Sequence, residues 1–179
     1  MYSEEVIRFW FEECDADQWF TKNAAFDAEI AQRFGEAHRQ AADGELWRWR
    51  DTALGRLAEI IILDQFSRNI HRDRPEAFAC DAVALALAQE AVREGADRGF
   101  SPEQKAFLYM PYMHSESLVI HAEAVRLYAQ PGLEANLDFE YRHKEIIERF
   151  GRYPHRNAVL GRVSTAEEIA FLEQPGSGF

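Results

Sequence analysis

Three short polar segments, residues 63–72, 113–117 and 150–157, carry the side chains best suited to binding a small anion. Arginine guanidinium groups beside Asn and His donors suit carboxylates and phosphates, because charge-assisted bidentate hydrogen bonds are strong. All three segments are expected at helix ends or in loops, where side chains can converge without disturbing the packing. We therefore predict one polar pocket for a carboxylate or phosphate ligand. Its predicted ligand-binding residues are Asp64, Arg68, Asn69, His71, Arg152, Arg156 and Asn157.

The same segments contain three candidates for acid–base catalysis, His114, Glu116 and His155. Either histidine can serve as a general base, with Glu116 or Asp64 orienting its ring and Arg156 holding the charge of the substrate. The spacing of these residues is compatible with binding alone and with binding followed by chemistry. Whether the protein is an enzyme therefore stays open.

Two further chemistries receive less support. Ser115 adjoins His114, but neighbouring side chains diverge at the start of a helix and a serine there usually caps it, so a Ser–His hydrolase is a minor alternative. No Gly-x-Ser-x-Gly, P-loop or dinucleotide motif occurs. Glu140 and His143 form one Glu-x-x-His motif, whereas di-iron bundles need two such motifs and further glutamates. We expect no bound metal and no cofactor.

Two non-catalytic interpretations also remain. The polar cluster around Asp64 and Arg68 can be structural, satisfying helix ends and tying two elements together. Alternatively, a tetratricopeptide-like stack of helices presents a concave groove to a peptide, and a basic patch in it would favour an acidic peptide. An enclosed cleft would indicate a small metabolite, and an open channel would indicate a peptide.

The element that positions the first polar segment is an apolar helix. Leu54, Leu57, Ile61 and Asp64 lie on one helical face, and a helix that is apolar over most of its circumference lies inside a domain. Asp64 therefore points into the core, where an unpaired carboxylate costs several kcal/mol. Arg68, one turn later, is its predicted partner.

Composition limits the classes of partner. The chain has 179 residues and 47% hydrophobic content, which suits one domain with a full core. Its net charge of −11 argues against nucleic acids and anionic membranes. Positive charge is nevertheless concentrated, because residues 68–74 sum to +2 and residues 142–162 sum to +4. These arginines indicate a local anion-attracting site, although surface ion pairs would explain them equally well.

The sequence predicts a cytoplasmic protein. Cys14 and Cys80 lie far apart without a CxxC motif, as expected of reduced thiols. The first residues lack the basic and apolar regions of a signal peptide. No apolar run approaches the roughly 20 residues that a membrane span needs. The oligomeric state cannot be read from the sequence.

Start and stop signals divide the chain into helices. Pro111 is expected to kink or end its helix, with the next helix running from about 115 to 130 and another from 135 to 150. The predicted N-caps are Asn23, Asp51 or Thr52, Asp81, Ser101 and Thr165.

These elements indicate an all-α fold, since no segment alternates in the manner of a strand. The sequence Glu-Ala-Val-Arg occurs at 90–93 and again at 123–126, a spacing of 33 that is close to the period of tetratricopeptide hairpins. We predict stacked antiparallel helical hairpins in a single compact domain over 1–179. Residues 1–22 would form an N-terminal aromatic helix and loop, and residues 174–179 a C-terminal tail.

Several aromatic and polar blocks carry a family resemblance over nearly the whole length. They are Phe9-Trp10-Phe11, Trp19-Phe20 with Phe26-Asp27, residues 64–69, His114-Ser115-Glu116, residues 150–157 and residues 175–179. In these blocks the chain resembles an uncharacterised, mainly bacterial family catalogued as domain of unknown function 924. The resemblance implies an all-helical, tetratricopeptide-like fold and no established activity. Ser67 stands where that family usually has proline, which leaves the turn that aims Arg68 less rigid.

Overall fold

Helices make up all the regular secondary structure of residues 2–178, the part of the chain that the computed structural model describes. Met1 and Phe179, the two ends of the predicted domain, lie outside the described residues. The prediction of an all-α fold is confirmed. The α-helices are α1 Ser3–Arg8, α2 Ala16–Phe20, α3 Ala24–Ala42, α4 Ala53–Ile61, α5 Ser67–Ile70, α6 Asp81–Arg93, α7 Pro102–Met113, α8 Leu118–Tyr128, α9 Glu134–Phe150 and α10 Ala166–Leu172.

The apolar helix predicted at the centre is α4, which continues through one π-helical turn, Ile62–Phe66, into α5. Leu57 and Ile61 are buried and Asp64 is 1% exposed, as their shared face predicts. Leu54 is predicted on that face but is 42% exposed, in the first turn of α4. A π-helical turn widens the helix by one residue, and such turns are frequent at functional sites.

Aromatic rings from the N-terminal region fill the core beside α4. Phe9 and Phe34 lie 4.9 Å apart between ring centroids, Phe34 and Phe66 lie 5.0 Å apart, and Trp10 packs edge-on against Phe66 at 5.5 Å. All four side chains are buried. The N-terminal aromatics therefore form part of the core beside α4.

From α6 to α9 each helix packs against the next one along the chain, and α6 also packs against α4. The repeated Glu-Ala-Val-Arg has the same local structure in α6 and α8. Ala91 and Ala124 are fully buried, and the flanking Glu and Arg form an i,i+3 ion pair in each copy. The contacts between successive helices are those that stacked hairpins need, while a tetratricopeptide-like register remains a prediction.

Most predicted helix ends are confirmed, and three are wrong. Asn23, Thr52, Ser101 and Thr165 cap their helices through side-chain oxygens. Cys80, not Asp81, occupies the N-cap of α6, which leaves the Asp81 carboxylate free to bind arginine.

The other two errors concern the end of α7. This helix continues through Pro111 to Met113, because core packing around the buried proline outweighs the cost of about 3 kcal/mol for its missing hydrogen bond. The next helix, α8, begins at Leu118 rather than at 115. Ser115 instead accepts a hydrogen bond from the backbone of Ser117 in the turn between the two helices.

No helix among residues 2–178 combines the length and apolarity needed to cross a bilayer.

Candidate functional site

The candidate site is centred on Asp64, which lies in the π-helical turn. One carboxylate oxygen lies 2.7 Å from His114 Nδ1 and 3.1 Å from an Arg68 guanidinium nitrogen, and the other accepts a hydrogen bond from Gln65 at 2.5 Å. Burial alone would raise the pKa of Asp64, but the positive charge of Arg68 and the His114 ring hold the pKa below its usual range. Asp64 is therefore ionised at neutral pH, and the predicted pair with Arg68 is formed.

His114 ends α7 and keeps 17% of its side chain exposed. Burial and the neighbouring Arg68 charge lower the pKa of His114, so the ring is neutral at pH 7. Because Asp64 is ionised, it can only accept, and Nδ1 must donate the proton of this hydrogen bond. The other ring nitrogen, Nε2, then carries the lone pair of a potential general base.

Two arginines, the partly exposed Arg68 and the buried Arg156, meet at Asp81, the first residue of α6. Arg68 binds both oxygens of Asp81 at 2.9 and 3.1 Å, and Arg156 reaches one of them at 3.3 Å. Phe78 lies against both guanidinium groups, with its ring centroid 5.5 Å from Arg68 Cζ and 4.6 Å from Arg156 Cζ. The first and third polar segments, separated by more than 80 residues of sequence, therefore converge.

The two arginines differ in how well their charge is compensated. Burial on its own would lower the pKa of Arg68, but the negative charges of Asp64 and Asp81 are the stronger effect and raise it. Burial and the Arg68 charge lower the pKa of Arg156, whose Nε is buried without a hydrogen-bond partner among residues 2–178. Arg156 is thus the less compensated cation of the pair.

The third polar segment also closes the end of α7. Helix C-termini leave carbonyl groups without intrahelical partners, and three successive carbonyls here accept hydrogen bonds from side chains of other elements. The pairs are Tyr153 hydroxyl to Met113 at 2.5 Å, Arg156 to His114 at 3.0 Å and His121 Nε2 to Ser115 at 2.8 Å. Arg156 therefore has a structural contact in addition to its place beside Arg68.

Glu116 and His155 take different positions from those expected of an orienting carboxylate and a second base. Glu116 binds both Arg162 nitrogens at 2.7 and 2.9 Å and accepts from the Tyr153 backbone, so it fixes the loop after α9. His155 packs against the Tyr153 ring at 5.5 Å. Burial and the Arg156 charge lower its pKa to about 4, which leaves a neutral ring beside the arginine.

Arg152 and Asn157 hold the loop that carries Arg156. Arg152 binds both oxygens of Glu168 at 2.7 and 2.8 Å, which lowers the pKa of Glu168 to about 2. Asn157 donates to Ser164 at 3.0 Å and accepts from Arg162 at 2.9 Å. Both side chains are engaged within this loop and α10, and they do not contact Asp81.

Asn69 and His71 lie on a different side of α5 from Arg68. Asn69 donates to Asp27 at 2.8 Å, and the same carboxylate binds Arg72 at 2.5 and 2.7 Å. The His71 ring lies edge-on to His38, with centroids 5.1 Å apart. The structure therefore divides the first polar segment between two clusters.

The Ser–His contact that the structure shows involves other residues than those considered from the sequence. His38 Nε2 lies 2.8 Å from the Ser67 hydroxyl, which itself donates to the Leu63 carbonyl at 2.6 Å. Ser67 is fully buried, so this pair fixes α3 against α5 and offers no nucleophile to solvent.

Both residues of the Glu-x-x-His motif form contacts with other groups of the protein. Glu140 lies 2.6 Å from His121 Nδ1, and His143 Nδ1 donates to the Phe139 carbonyl at 2.7 Å. Within residues 2–178 no three His, Cys, Asp or Glu side chains are grouped in a way that could hold a metal ion.

Sequence reasoning missed three residues of the cluster, Asp81, Phe78 and Tyr153. The sequence position of Asp81 indicates a helix cap, and Tyr153 is distinguished in the sequence only as part of the polar segment 150–157. Two cavities, of about 170 and 620 Å³, are lined by residues other than the predicted site residues. The site is thus a packed polar cluster reaching the surface through Arg68, Asp81 and His114, whose side chains are 17–21% exposed.

Comparison with known proteins identifies the chain by family. A solved structure of a protein of unknown function from Agrobacterium tumefaciens is similar, with a TM-score of 0.91 and 39% identity over 96% of each chain. No curated protein matches. The model of a family described as a bacterial protein of unknown function (DUF924) matches residues 6–176. Because this match spans nearly the whole chain, the protein belongs to the DUF924 family.

Proposed function

We propose that the protein binds a small carboxylate or phosphate at Arg68 and Arg156. The observation that carries this proposal is the buried Arg156 guanidinium, whose Nε lacks a partner among residues 2–178. A buried donor without an acceptor costs about 1–3 kcal/mol, and the lowered pKa of Arg156 indicates a cation short of negative charge. An anion bound in the plane of this guanidinium would supply both the acceptor and the charge.

Two neighbouring arginines differ from Arg156 because each is fully paired with a carboxylate. Arg152 and Arg162 each bind both oxygens of a glutamate at 2.7–2.9 Å, so their charges are already matched. The contact between Arg156 and Asp81 is longer, at 3.3 Å, and it uses a carboxylate that Arg68 already binds. Asp81 therefore acts as an internal competitor that an incoming anion would displace from Arg156.

Because Asp81 competes with the ligand, variants of Asp81 and of Arg156 should change the affinity for the ligand in opposite directions. Asp81→Asn removes the competing carboxylate and should tighten the binding of inorganic phosphate or malonate, measured by isothermal titration calorimetry. Arg156→Lys keeps the charge but loses the planar fork, and should weaken the same binding at least tenfold. Arg126→Lys, in an exposed arginine already paired with Glu123 on α8, is the matched control and should leave the affinity unchanged.

A purely structural cluster gives a different pattern. Neither phosphate nor malonate would bind the unaltered protein, and Asp81→Asn and Arg156→Lys would both lower the melting temperature. That result would reject the proposal. Weaker binding in Asp81→Asn would also contradict it, because the carboxylate would then be helping the ligand.

A second candidate function, proton transfer on the bound anion, is favoured by one observation. The 2.7 Å contact between His114 Nδ1 and Asp64 leaves Nε2 as a lone-pair base next to Arg68, an arrangement that general-base catalysis needs. Carboxylic acids that bind should then exchange a carbon-bound proton for deuterium in D₂O, as followed by NMR. His114→Gln should abolish this exchange and keep the binding, and equal exchange in the variant would exclude His114 as the base.

A further inference from the structure

His121 and Glu140 form a fully buried pair between α8 and α9. Both side chains are 0% exposed, and His121 Nδ1 lies 2.6 Å from one oxygen of Glu140. The other carboxyl oxygen, Oε2, is buried without a hydrogen-bond partner in the described part of the chain. An ionised carboxylate without further compensation is costly in such a position, so the stability of the pair depends on the protons that it holds.

The hydrogen bonds of the His121 ring determine how many protons the pair holds. His121 Nε2 lies 2.8 Å from the carbonyl oxygen of Ser115, and because a carbonyl only accepts, Nε2 carries a hydrogen. The Tyr153 hydroxyl, 3.2 Å from the same nitrogen, donates its own hydrogen to the Met113 carbonyl and can only accept from the ring. Nδ1 and the Glu140 oxygen must then have one proton between them, since two lone pairs would repel each other at 2.6 Å.

This proton can belong to either group without changing the charge of the pair. The pair is either an imidazolium beside a carboxylate or a neutral imidazole beside a carboxylic acid, and its net charge is zero in both forms. Removing the proton would leave a buried negative charge beside a nitrogen lone pair. Burial raises the pKa of Glu140, in agreement with a carboxyl group that retains its share of a proton at neutral pH.

Other titratable groups act on the pair or on its neighbours from α7, α8, α9 and the loop after α9. They are Tyr128, Tyr153, His143, His114, His155 and Lys144. Burial moves the pKa of each tyrosine above its ordinary value and that of each histidine below it, so these rings are uncharged at neutral pH. Lys144 is 28% exposed and forms an ion pair with Glu148. The shared proton is therefore the direct compensation of the Glu140 charge.

We propose that His121 and Glu140 share one proton and form a pH-sensitive link between α8, α9 and the end of α7. The link requires the proton, because the same ring holds Glu140 through Nδ1 and the Ser115 carbonyl through Nε2. When the pH rises far enough to remove the proton, the carboxylate and the ring repel each other and the connection is lost. The link is separate from anion binding at Arg68 and Arg156.

Glu140→Gln tests the number of protons, because a glutamine amide can donate to His121 Nδ1 without a shared proton. Above about pH 5 the unfolded chains of the variant and of the unaltered protein bind equal numbers of protons, whereas the folded unaltered protein binds one more. The ratio of the two unfolding equilibrium constants, unaltered protein over variant, should therefore rise about tenfold per pH unit between about pH 6 and 8 in urea titrations.

Glu59→Gln is the matched control for removing a buried carboxylate. Glu59 is also 0% exposed, but its partner is Arg50, and an arginine stays charged over this whole range. The folded and unfolded states therefore bind the same number of protons at this site. The ratio of unfolding equilibrium constants for Glu59→Gln should not change between about pH 6 and 8.

NMR of the unaltered protein gives a second measurement that does not depend on the folding of a variant. With ¹⁵N-labelled histidine and ¹³C-labelled glutamate, the His121 ring and the Glu140 carboxyl should not titrate between about pH 6 and 8, and they should titrate together at higher pH. A constant ratio for Glu140→Gln, an equally steep ratio for Glu59→Gln, or separate titrations of the two groups would each overturn the shared proton.

Discussion

Replacing Asp64 with Asn tests whether this buried carboxylate is the electrostatic centre of the cluster. Asp64 is 1% exposed and contacts Arg68 and His114. Removing one partner of a buried ion pair costs about 3–5 kcal/mol, because the remaining charge loses its compensation. For a protein of this size each kcal/mol shifts the melting temperature by about 2–4 °C. We therefore expect Asp64→Asn to melt about 6–20 °C lower and to unfold in less urea at pH 7.

The effect should also depend on pH with a defined sign. The pKa of Asp64 is held below that of the unfolded chain, about 3.9, so its contribution to stability is complete above about pH 5. This contribution is lost as the pH falls below 4, because the unfolded chain then takes up a proton on this carboxylate while the folded state does not. The difference in the free energy of unfolding between the unaltered protein and Asp64→Asn should shrink as the pH falls from 7 to 3.

The matched control is Asp73→Asn. Asp73 and its partner Lys22 have side chains 72% and 65% exposed, and exposed pairs contribute at most about 1 kcal/mol. Two results would refute the assignment of Asp64 as a compensated buried charge. One is a loss of less than about 1 kcal/mol in the free energy of unfolding of Asp64→Asn at pH 7. The other is a difference between this variant and the unaltered protein that grows as the pH falls.

Three further outcomes are expected from urea unfolding. Gly55→Ala should lower the free energy of unfolding by about 3 kcal/mol or more, because its new Cβ would lie 2.0 Å from the Trp49 carbonyl oxygen. Gly35→Ala, which has open space in the middle of α3, should instead raise the free energy of unfolding by about 0.5–1 kcal/mol. Equal effects of the two variants would contradict this contrast. Tyr153→Phe should cost about 1–3 kcal/mol, because it removes the hydroxyl that donates to a carbonyl at the end of α7, and an unchanged urea midpoint would speak against that role. Burial lowers the pKa of His143 to about 3, so the unfolded chain binds more protons than the folded protein below pH 6.5. The free energy of unfolding should therefore rise between pH 4 and 6.5. His143→Gln should make this rise less steep, and an unchanged slope would contradict a lowered pKa for His143.

The sequence predicted the parts of the site that depend on spacing within one helix. Asp64 and Arg68 are four residues apart, a spacing that makes side chains neighbours on a helix, and the contact forms although part of the π-helical turn lies between them. Asn69 was grouped with Arg68 because the two are adjacent, yet one residue turns a helix by about 100°. That rotation directs Asn69 to Asp27. The same geometry, applied to each residue of the segment, would have separated the two clusters.

The remaining contacts depend on how distant elements pack. Asp81 has the sequence position of a helix cap, and only the placement of α6 beside α5 and the loop after α9 makes it a ligand of two arginines. Pro111 illustrates the same limit, since its local preference to end α7 is overruled by the surrounding core. A single sequence contains neither the position of α6 nor the packing around Pro111.

The π-helical turn at Ile62–Phe66 makes the cluster sensitive to chain length. Such a turn accommodates one residue more than an α-helical turn, so deleting one of its residues after Asp64, either Gln65 or Phe66, would restore a regular helix. Every side chain after the deletion would then rotate by about 100° relative to α4. Asn69 would take the angular position that Arg68 now occupies, and the guanidinium would turn away from Asp64. In this helix, insertions and deletions are therefore a more severe change than most substitutions, because they alter which side chain faces Asp64.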